Sequence, residues 1–425
     1  MLTRRQLLTA AAVGVPSLSL RAQDPRRTEV PRTDLFPELQ SRRSEPKPIT
    51  VEERQSRMER ARKLMVEHKL NAILLAGGTS LQYFSGVRWG NSERLLLMVL
   101  PAKGEPLFIS PAFEEDRARE QIQLGLGTRQ QVFTWQEDES PYDLVATALK
   151  ERGILTGRLG VEENVKFVFS DSIGKSAAGS TLTSATPVTA GCRSIKTAAE
   201  LALMKFANQV TLQAYEAAYR HLKEGMLHPE FAGLISVAHA KLGFPGYAMV
   251  LVDDSAALPH GSVKPQKIRE GSLILIDGGC TVENYQSDIS RTFVLGKPTD
   301  KMKQVFSIVH QAQTKALKTA RPGLACEAVD AAARQVINDA GYGPGYRLFT
   351  HRVGHGIGMD GHEWPYLVKG NKLPLAKGMT FSDEPGIYLR GEFGVRLEDD
   401  MHITENGAEL FTPQSPSLEQ PFAEA

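Results

Sequence analysis

Residues 272–293 read SLILIDGGCTVENYQSDISRTF, and the fold turns on this stretch. Residues 272–276 are an apolar run of the kind that forms a buried strand, and the run ends in Asp277-Gly278-Gly279. A carboxylate at the end of a buried strand is costly unless it is paired, protonated or bound to a metal. Glu283 and Asn284 fall in a turn, and residues 286–293 read as the returning strand with Asp288 inside it. Hairpin pairing can bring the two carboxylates to one place. Taken singly, each aspartate is better explained as a turn cap or as a partner of Arg291.

Two further clusters lie downstream. Thr350-His-Arg-Val-Gly-His355-Gly-Ile-Gly-Met-Asp-Gly-His362 places three of the ten histidines within twelve residues, among four glycines. Glycine permits close backbone approach, and imidazole suits first-row metals. Residues 356–361 match G-x-G-x-x-G in form. No convincing strand precedes them and Pro365 denies a following helix, so dinucleotide binding is set aside. His362-Glu-Trp-Pro-Tyr366 begins like H-E-x-x-H but lacks the second histidine.

The third cluster is Met379-Thr-Phe-Ser-Asp-Glu384-Pro-Gly-Ile-Tyr388, followed by Gly394-Val-Arg-Leu-Glu398-Asp-Asp-Met401. Both parts read as strands, and Glu384 and Glu398 interrupt their apolar surroundings. Alone, Glu384 suits a turn before Pro-Gly, and Glu398 suits a pair with Arg396. Together the clusters supply two aspartates, one histidine and two glutamates. Four carboxylates that converge without a cation repel strongly, whereas two divalent cations cancel them. Oxygen and imidazole donors without thiolate suit manganese, cobalt, iron or zinc, and carboxylates can bridge a metal pair about 3.5–4 Å apart. Such metals lower the pKa of a bound water from 15.7 toward about 7.

LIDGG…SDISRTF, GHGIG…GHE, DEPGIY and GVRLEDD, in this order and spacing, resemble the pita-bread metallopeptidases, in the branch of aminopeptidase P and prolidase. The resemblance covers about residues 196–410, and the preceding part resembles the creatinase/prolidase N-terminal domain. It implies an α+β fold: a C-terminal pita-bread domain after a smaller α/β domain. It implies that Asp277, Asp288, His355, Glu384 and Glu398 are the metal ligands. Asp288 and Glu398 would bridge, Asp277 would hold one metal, and His355 and Glu384 the other. His260, in Leu-Pro-His-Gly, matches the histidine that polarises the scissile carbonyl, and His362 the one that contacts substrate beside it. Arg396 matches the family's active-site arginine, and Glu384 also relays a proton. His351 and Cys280 carry only a structural expectation.

The implied reaction is hydrolysis of an N-terminal Xaa-Pro bond by a metal-bridging hydroxide, with manganese the first expectation for both metals. A proline-containing peptide is the expected partner, and a homo-oligomer is compatible with a family whose members often form dimers or tetramers. Two alternatives stand beside it. One is hydrolysis of another small C–N amide on the same metals. The other is an inactive binding module, whose mark would be a lost ligand; none is lost.

Outward from this core, Thr197-Ala-Ala-Glu200 is a capping box that opens a long helix to about Leu222. The domain boundary is placed just before it, giving domains over residues 51–192 and 193–412. Thr50-Val-Glu-Glu53 is another capping box, for a helix to about Lys69. Residues 71–76, 95–100 and 107–109 read as strands of an α/β domain. Residues 23–50, with five prolines among many charges, form a linker or surface arm, and residues 413–425 a loose tail.

Residues 1–22 place Arg4-Arg5 before an apolar stretch from Leu7 to Leu20, resembling a twin-arginine export signal. A periplasmic or secreted enzyme is therefore expected. The balance of 50 Lys+Arg against 49 Asp+Glu argues against a nucleic-acid partner. No apolar run reaches 18 residues, so no stable membrane anchor is expected. Three cysteines far apart exclude a disulfide framework.

Overall fold

In the computed structural model, which describes residues 35–422, helices and strands alternate from Val51 onward. The leader-like residues 1–22 lie outside the described residues. The first domain runs α1 (Val51–Glu67), β1 (Ala72–Ala76), α2 (Thr79–Ser85), β2 (Leu97–Pro101), β3 (Leu107–Pro111), α3 (Glu115–Leu126) and β4 (Gln131–Trp135). It continues through α4 (Pro141–Glu151), β5 (Gly157–Val161), α5 (Phe167–Ser176), β6 (Ser180–Ser184) and α6 (Thr186–Arg193). Its mixed sheet has the order β4-β3-β2-β1-β5-β6. The run Ala72–Ala76 shows no alternation because every one of its side chains is buried, as in a strand covered on both faces.

Only half of the capping box expected at Thr50 forms. Thr50 Oγ1 accepts from Glu53 N at 3.2 Å. The Glu53 carboxylate instead accepts from Thr197 Oγ1 at 2.8 Å, a partner distant in sequence, and faces Arg57 one turn along the helix at 3.5 Å. The box at Thr197 is complete.

The second domain runs α7 (Ala198–Tyr219), α8 (His228–Leu242), β7 (Gly246–Val252), β8 (Leu273–Val282), β9 (Tyr285–Gln286), β10 (Ile289–Val294), α9 (Asp300–Thr319) and α10 (Cys326–Ile337). Then follow β11 (Gly354–Gly356), β12 (Glu363–Leu367), β13 (Thr380–Asp383), β14 (Gly386–Leu389), β15 (Phe393–Arg396), β16 (Asp399–Ile403) and β17 (Ala408–Leu410). One sheet has the order β10-β8-β7, with β9 on β8, and another the order β12-β11-β13-β16-β17; β14 and β15 form a hairpin. This is the α+β pita-bread architecture expected.

The continuous apolar run that opens β8 has a physical reason. Leu273 and Leu275 enter a core with Val305 and Val309 of α9 and Val329 of α10. Ile274 and Ile276 enter a different core with Tyr215 of α7 and Phe231 and Ile235 of α8. Burying each such side chain contributes about 1.5–3 kcal/mol. The strand does not end at Asp277 as its sequence suggests: β8 runs on to Val282, so Asp277 sits mid-strand, just past the stretch wedged between two cores.

The returning strand differs from its sequence reading. It is broken between β9 and β10, and Asp288 sits in the gap rather than inside a strand. There the backbone leaves the ladder, and Asp288 N donates to Asp400 Oδ2 at 3.0 Å.

The arm over residues 39–49 forms no helix or strand. Arg42 N donates to Leu242 O at 2.9 Å and Arg43 Nε to Gly243 O at 2.8 Å, meeting carbonyls that the end of α8 leaves unpaired. The tail expected to be loose forms no helix or strand from Pro413, but Leu418 is buried and its carbonyl accepts from Val294 N at 3.0 Å. Among the described residues no helix is long and apolar enough to cross a membrane.

Candidate metal centre

All five expected ligands come together; Asp277 lies mid-strand and the other four at or beside strand ends. Asp277 lies in β8 opposite Ser290 of β10. Glu384 follows β13, its N–H donating to Val353 O at 2.8 Å. Glu398 lies between β15 and β16, its N–H donating to Ser290 O at 3.2 Å. His355 is in β11 and buried. Two glycines make the approach possible. A Cβ at Gly279 would run into Ser287 O, and one at Gly354 into Ser382 O.

Donor atoms fall into three overlapping groups, each within 4.8 Å: Asp277, Asp288 and Glu398; His355, Glu384 and Glu398; Asp288, His355 and His362. They line a cavity of about 500 Å³ shared with His260, His351, Arg352 and Arg396. His260 and His362 are exposed at this cavity, and the His362 ring stacks on His355 with centroids 3.7 Å apart.

Charge is unevenly balanced here. Burial, then repulsion from Asp277, Asp400 and Glu384, pushes the Asp288 carboxyl well above the usual range. Burial, then repulsion from Asp288, Glu384 and Asp277, does the same to Glu398. Burial pushes Glu384 up to about 8, with Arg396 giving partial relief. Asp277 goes the other way. Burial would raise it, but the Arg396 guanidinium 2.6 Å away and the Ser290 hydroxyl hold it below its ordinary value.

The donor set fits divalent cations on two observations. His355 Nδ1 lies 3.1 Å from Gly356 O, which fixes the ring proton on Nδ1. Burial pushes this imidazole down to about 3, so it is neutral. With the carboxylates ionised, its Nε2 lone pair faces Glu384 Oε1 at 3.4 Å and Asp288 Oδ2 at 3.8 Å, acceptor against acceptor. Likewise Ser290 Oγ lies 2.7 Å from both Asp277 Oδ1 and Glu398 Oε2, with one proton to give, while it accepts from Arg396 Nε at 3.0 Å. Cations between these acceptors remove both conflicts.

Several participants were not legible in sequence. Ser290 is one. His351, for which only a structural role was expected, lines the cavity. Its Nδ1 lies 2.8 Å from Arg352 O, so its Nε2 accepts from Tyr388 OH at 2.6 Å, and that hydroxyl accepts from Arg396 Nη1 at 3.1 Å. Arg396 is therefore gripped by Asp277, Ser290 and Tyr388 at once. The one available signal was the sequence proximity of His351 to His355. Cys280 is buried, its Sγ donating to Ala207 O at 3.3 Å, and does not line the cavity.

Comparison with known proteins returns a consistent picture. Metallopeptidase family M24 matches residues 202–405, and the creatinase/prolidase N-terminal domain matches residues 57–195. A probable dipeptidase PepE of Mycobacterium tuberculosis is 34% identical over 342 residues, covering 80% of this chain and 89% of that protein. An Xaa-Pro dipeptidase of Pyrococcus furiosus is 29% identical over 359 residues, covering 84% and 97%. The crystal structure of dipeptidase PepE from Mycobacterium ulcerans is similar with a TM-score of 0.82 at 33% identity, covering 88% of this chain and 99% of that one.

Proposed function

The chain belongs to metallopeptidase family M24, and from that premise we propose that it hydrolyses Xaa-Pro peptide bonds with two divalent cations. Asp277, Asp288, His355, Glu384 and Glu398 would hold them, with manganese first among manganese, cobalt, zinc and iron. The observation that carries this reading is the overlap of the donor groups: Asp288, His355 and Glu398 are each shared by two of them, and of these the two carboxylates have two oxygens with which to bridge. That overlap suits side chains that bridge a pair of cations. A relative named Xaa-Pro dipeptidase supports the substrate.

When bound, the cations supply a water acidified toward neutrality and a Lewis acid for the carbonyl. The chain's own residues do the rest. Glu384 takes the proton from the attacking water and passes it to the leaving prolyl nitrogen. That nitrogen carries no hydrogen of its own, so a proton must be delivered for it to leave as an amine. His260 and His362 are placed at the cavity to hydrogen-bond the substrate carbonyl beside the scissile bond. Arg396 acts through Asp277, whose carboxylate it holds ionised.

The test is turnover of Xaa-Pro peptides and of small amides by protein loaded with each metal, alongside metal content. Xaa-Pro cleavage with about two metals per chain is expected, and Glu384→Gln should abolish it while the protein stays folded. Near-normal rates in Glu384→Gln with added manganese would sink the assignment. We also propose export through the segment bearing Arg4 and Arg5. A fusion exported normally with both changed to Lys would overturn that.

A further inference from the structure

A second cavity, of about 530 Å³, adjoins the catalytic one, with Pro259 and Thr350 lining both. Its volume falls in the range of ligand pockets, about 300–1,000 Å³. Tyr388 forms part of its wall, and the Tyr388 hydroxyl reaches His351 and Arg396 of the catalytic cavity. The linings of the two cavities differ in charged side chains. The catalytic one gathers four carboxylates, while Arg347 and Arg390 line the second. The acid in the second lining, Glu392, is already paired with Lys301, so the arginine charges are left over. Tyr346, Leu348 and Leu389 complete a mixed wall.

We infer that this second cavity receives the part of a peptide beyond the proline, and that the enzyme accepts peptides longer than two residues with a preference for acidic ones there. The inference rests on the Xaa-Pro reading. An enzyme that removes one N-terminal residue needs room for a single residue on the amino side. All further substrate length lies on the leaving side, so an additional adjoining cavity serves that side. Charge gives the same direction. A substrate ammonium is repelled by Arg347 and Arg390. A C-terminal carboxylate or an acidic side chain is drawn to those arginines.

The test compares Leu-Pro, Leu-Pro-Glu-Glu and Leu-Pro-Lys-Lys on metal-loaded protein. The Glu-Glu peptide should exceed the Lys-Lys peptide in kcat/KM by about tenfold, from two partly screened charge contacts replaced by repulsion. In the double variant Arg347→Glu/Arg390→Glu this ranking should invert. Both side chains are exposed, so the fold is not at risk, and circular dichroism verifies it. Calorimetry gives a readout apart from turnover: Pro-Glu-Glu should bind wild type more tightly than Pro-Lys-Lys, and lose that advantage in the double variant. Cleavage of Leu-Pro but of neither tetrapeptide, or equal rates on both tetrapeptides, would overturn the inference and leave the Xaa-Pro reading intact. Failure on all three peptides with every metal would bring down that reading, and this inference with it.

Discussion

Around Glu363 and around Glu398 the protein buries several charges at once, and it treats the two places in opposite ways. Glu363 receives Arg193 Nη2 on one oxygen and Lys196 Nζ at 3.2 Å on the other, with Asp360 N donating at 3.0 Å. Asp360 takes a second contact from Arg193 at 2.6 Å and one from Thr79 Oγ1 at 2.6 Å. Two acids meet two cations, and although burial would raise it, Lys196 and Arg193 hold the Glu363 carboxyl down to about 2. Around Glu398, four carboxylates and a neutral imidazole have the Arg396 guanidinium among them, and Arg352 besides it in the cavity lining. The difference separates structural charge, which the chain neutralises itself, from functional charge, which it leaves open for ions. The closed cluster also flanks His362 in sequence, through Asp360 and Glu363.

Four experiments can break or sharpen this contrast. Asp288→Asn should lower turnover on the order of a thousandfold, about 4 kcal/mol of barrier. The metal-free variant should nevertheless be no less stable than wild type, because a repelling charge has gone; a clear loss in urea unfolding would contradict an open cluster. Arg193→Met should do the reverse, costing about 3–5 kcal/mol of stability by stranding buried carboxylates. An unchanged urea midpoint would show that the closed cluster is not closed.

The two clusters should also titrate with opposite sign in metal-free protein. Glu363, at about 2, adds stability that is complete above the unfolded glutamate value and is lost as pH falls through about 2, roughly 3 kcal/mol in all. Glu384, at about 8, favours a fold in which it is protonated. Its contribution is complete below the unfolded value and is lost as pH rises through about 8. Urea midpoints should therefore fall between about pH 5 and about pH 8, and fall less in Glu384→Gln. Identical profiles would remove the basis for an open cluster. Last, manganese at about a hundred times its Kd should stabilise wild type by about 2.7 kcal/mol and Asp288→Asn by much less.

Legibility in the sequence followed the cost of charge. Asp277, Glu384 and Glu398 stand out because acids in apolar runs need a reason, and His355 because glycines crowd it. Ser290, Tyr388 and Asp400 do not stand out. A serine in a strand, a tyrosine after Gly386 and an aspartate beside Asp399 are ordinary residues until the fold sets them against a ligand. The half-formed cap at Thr50 failed for a related reason. Local spacing cannot reveal that Glu53 finds Thr197 in space.

Periodicity and unexplained acids were enough, by themselves, to mark the apolar run that leads to Asp277 and the acids that needed a reason, while the resemblance of the motifs named the five donors as a set. Only the tertiary structure decided which of those donors share neighbours, which cations compensate which acids, and that a cavity lined by Arg347 and Arg390 adjoins the one the donors line. Burial and repetition are written along the chain, whereas electrostatic balance depends on distances between residues that the chain keeps a hundred or more positions apart, such as Asp277 and Arg396.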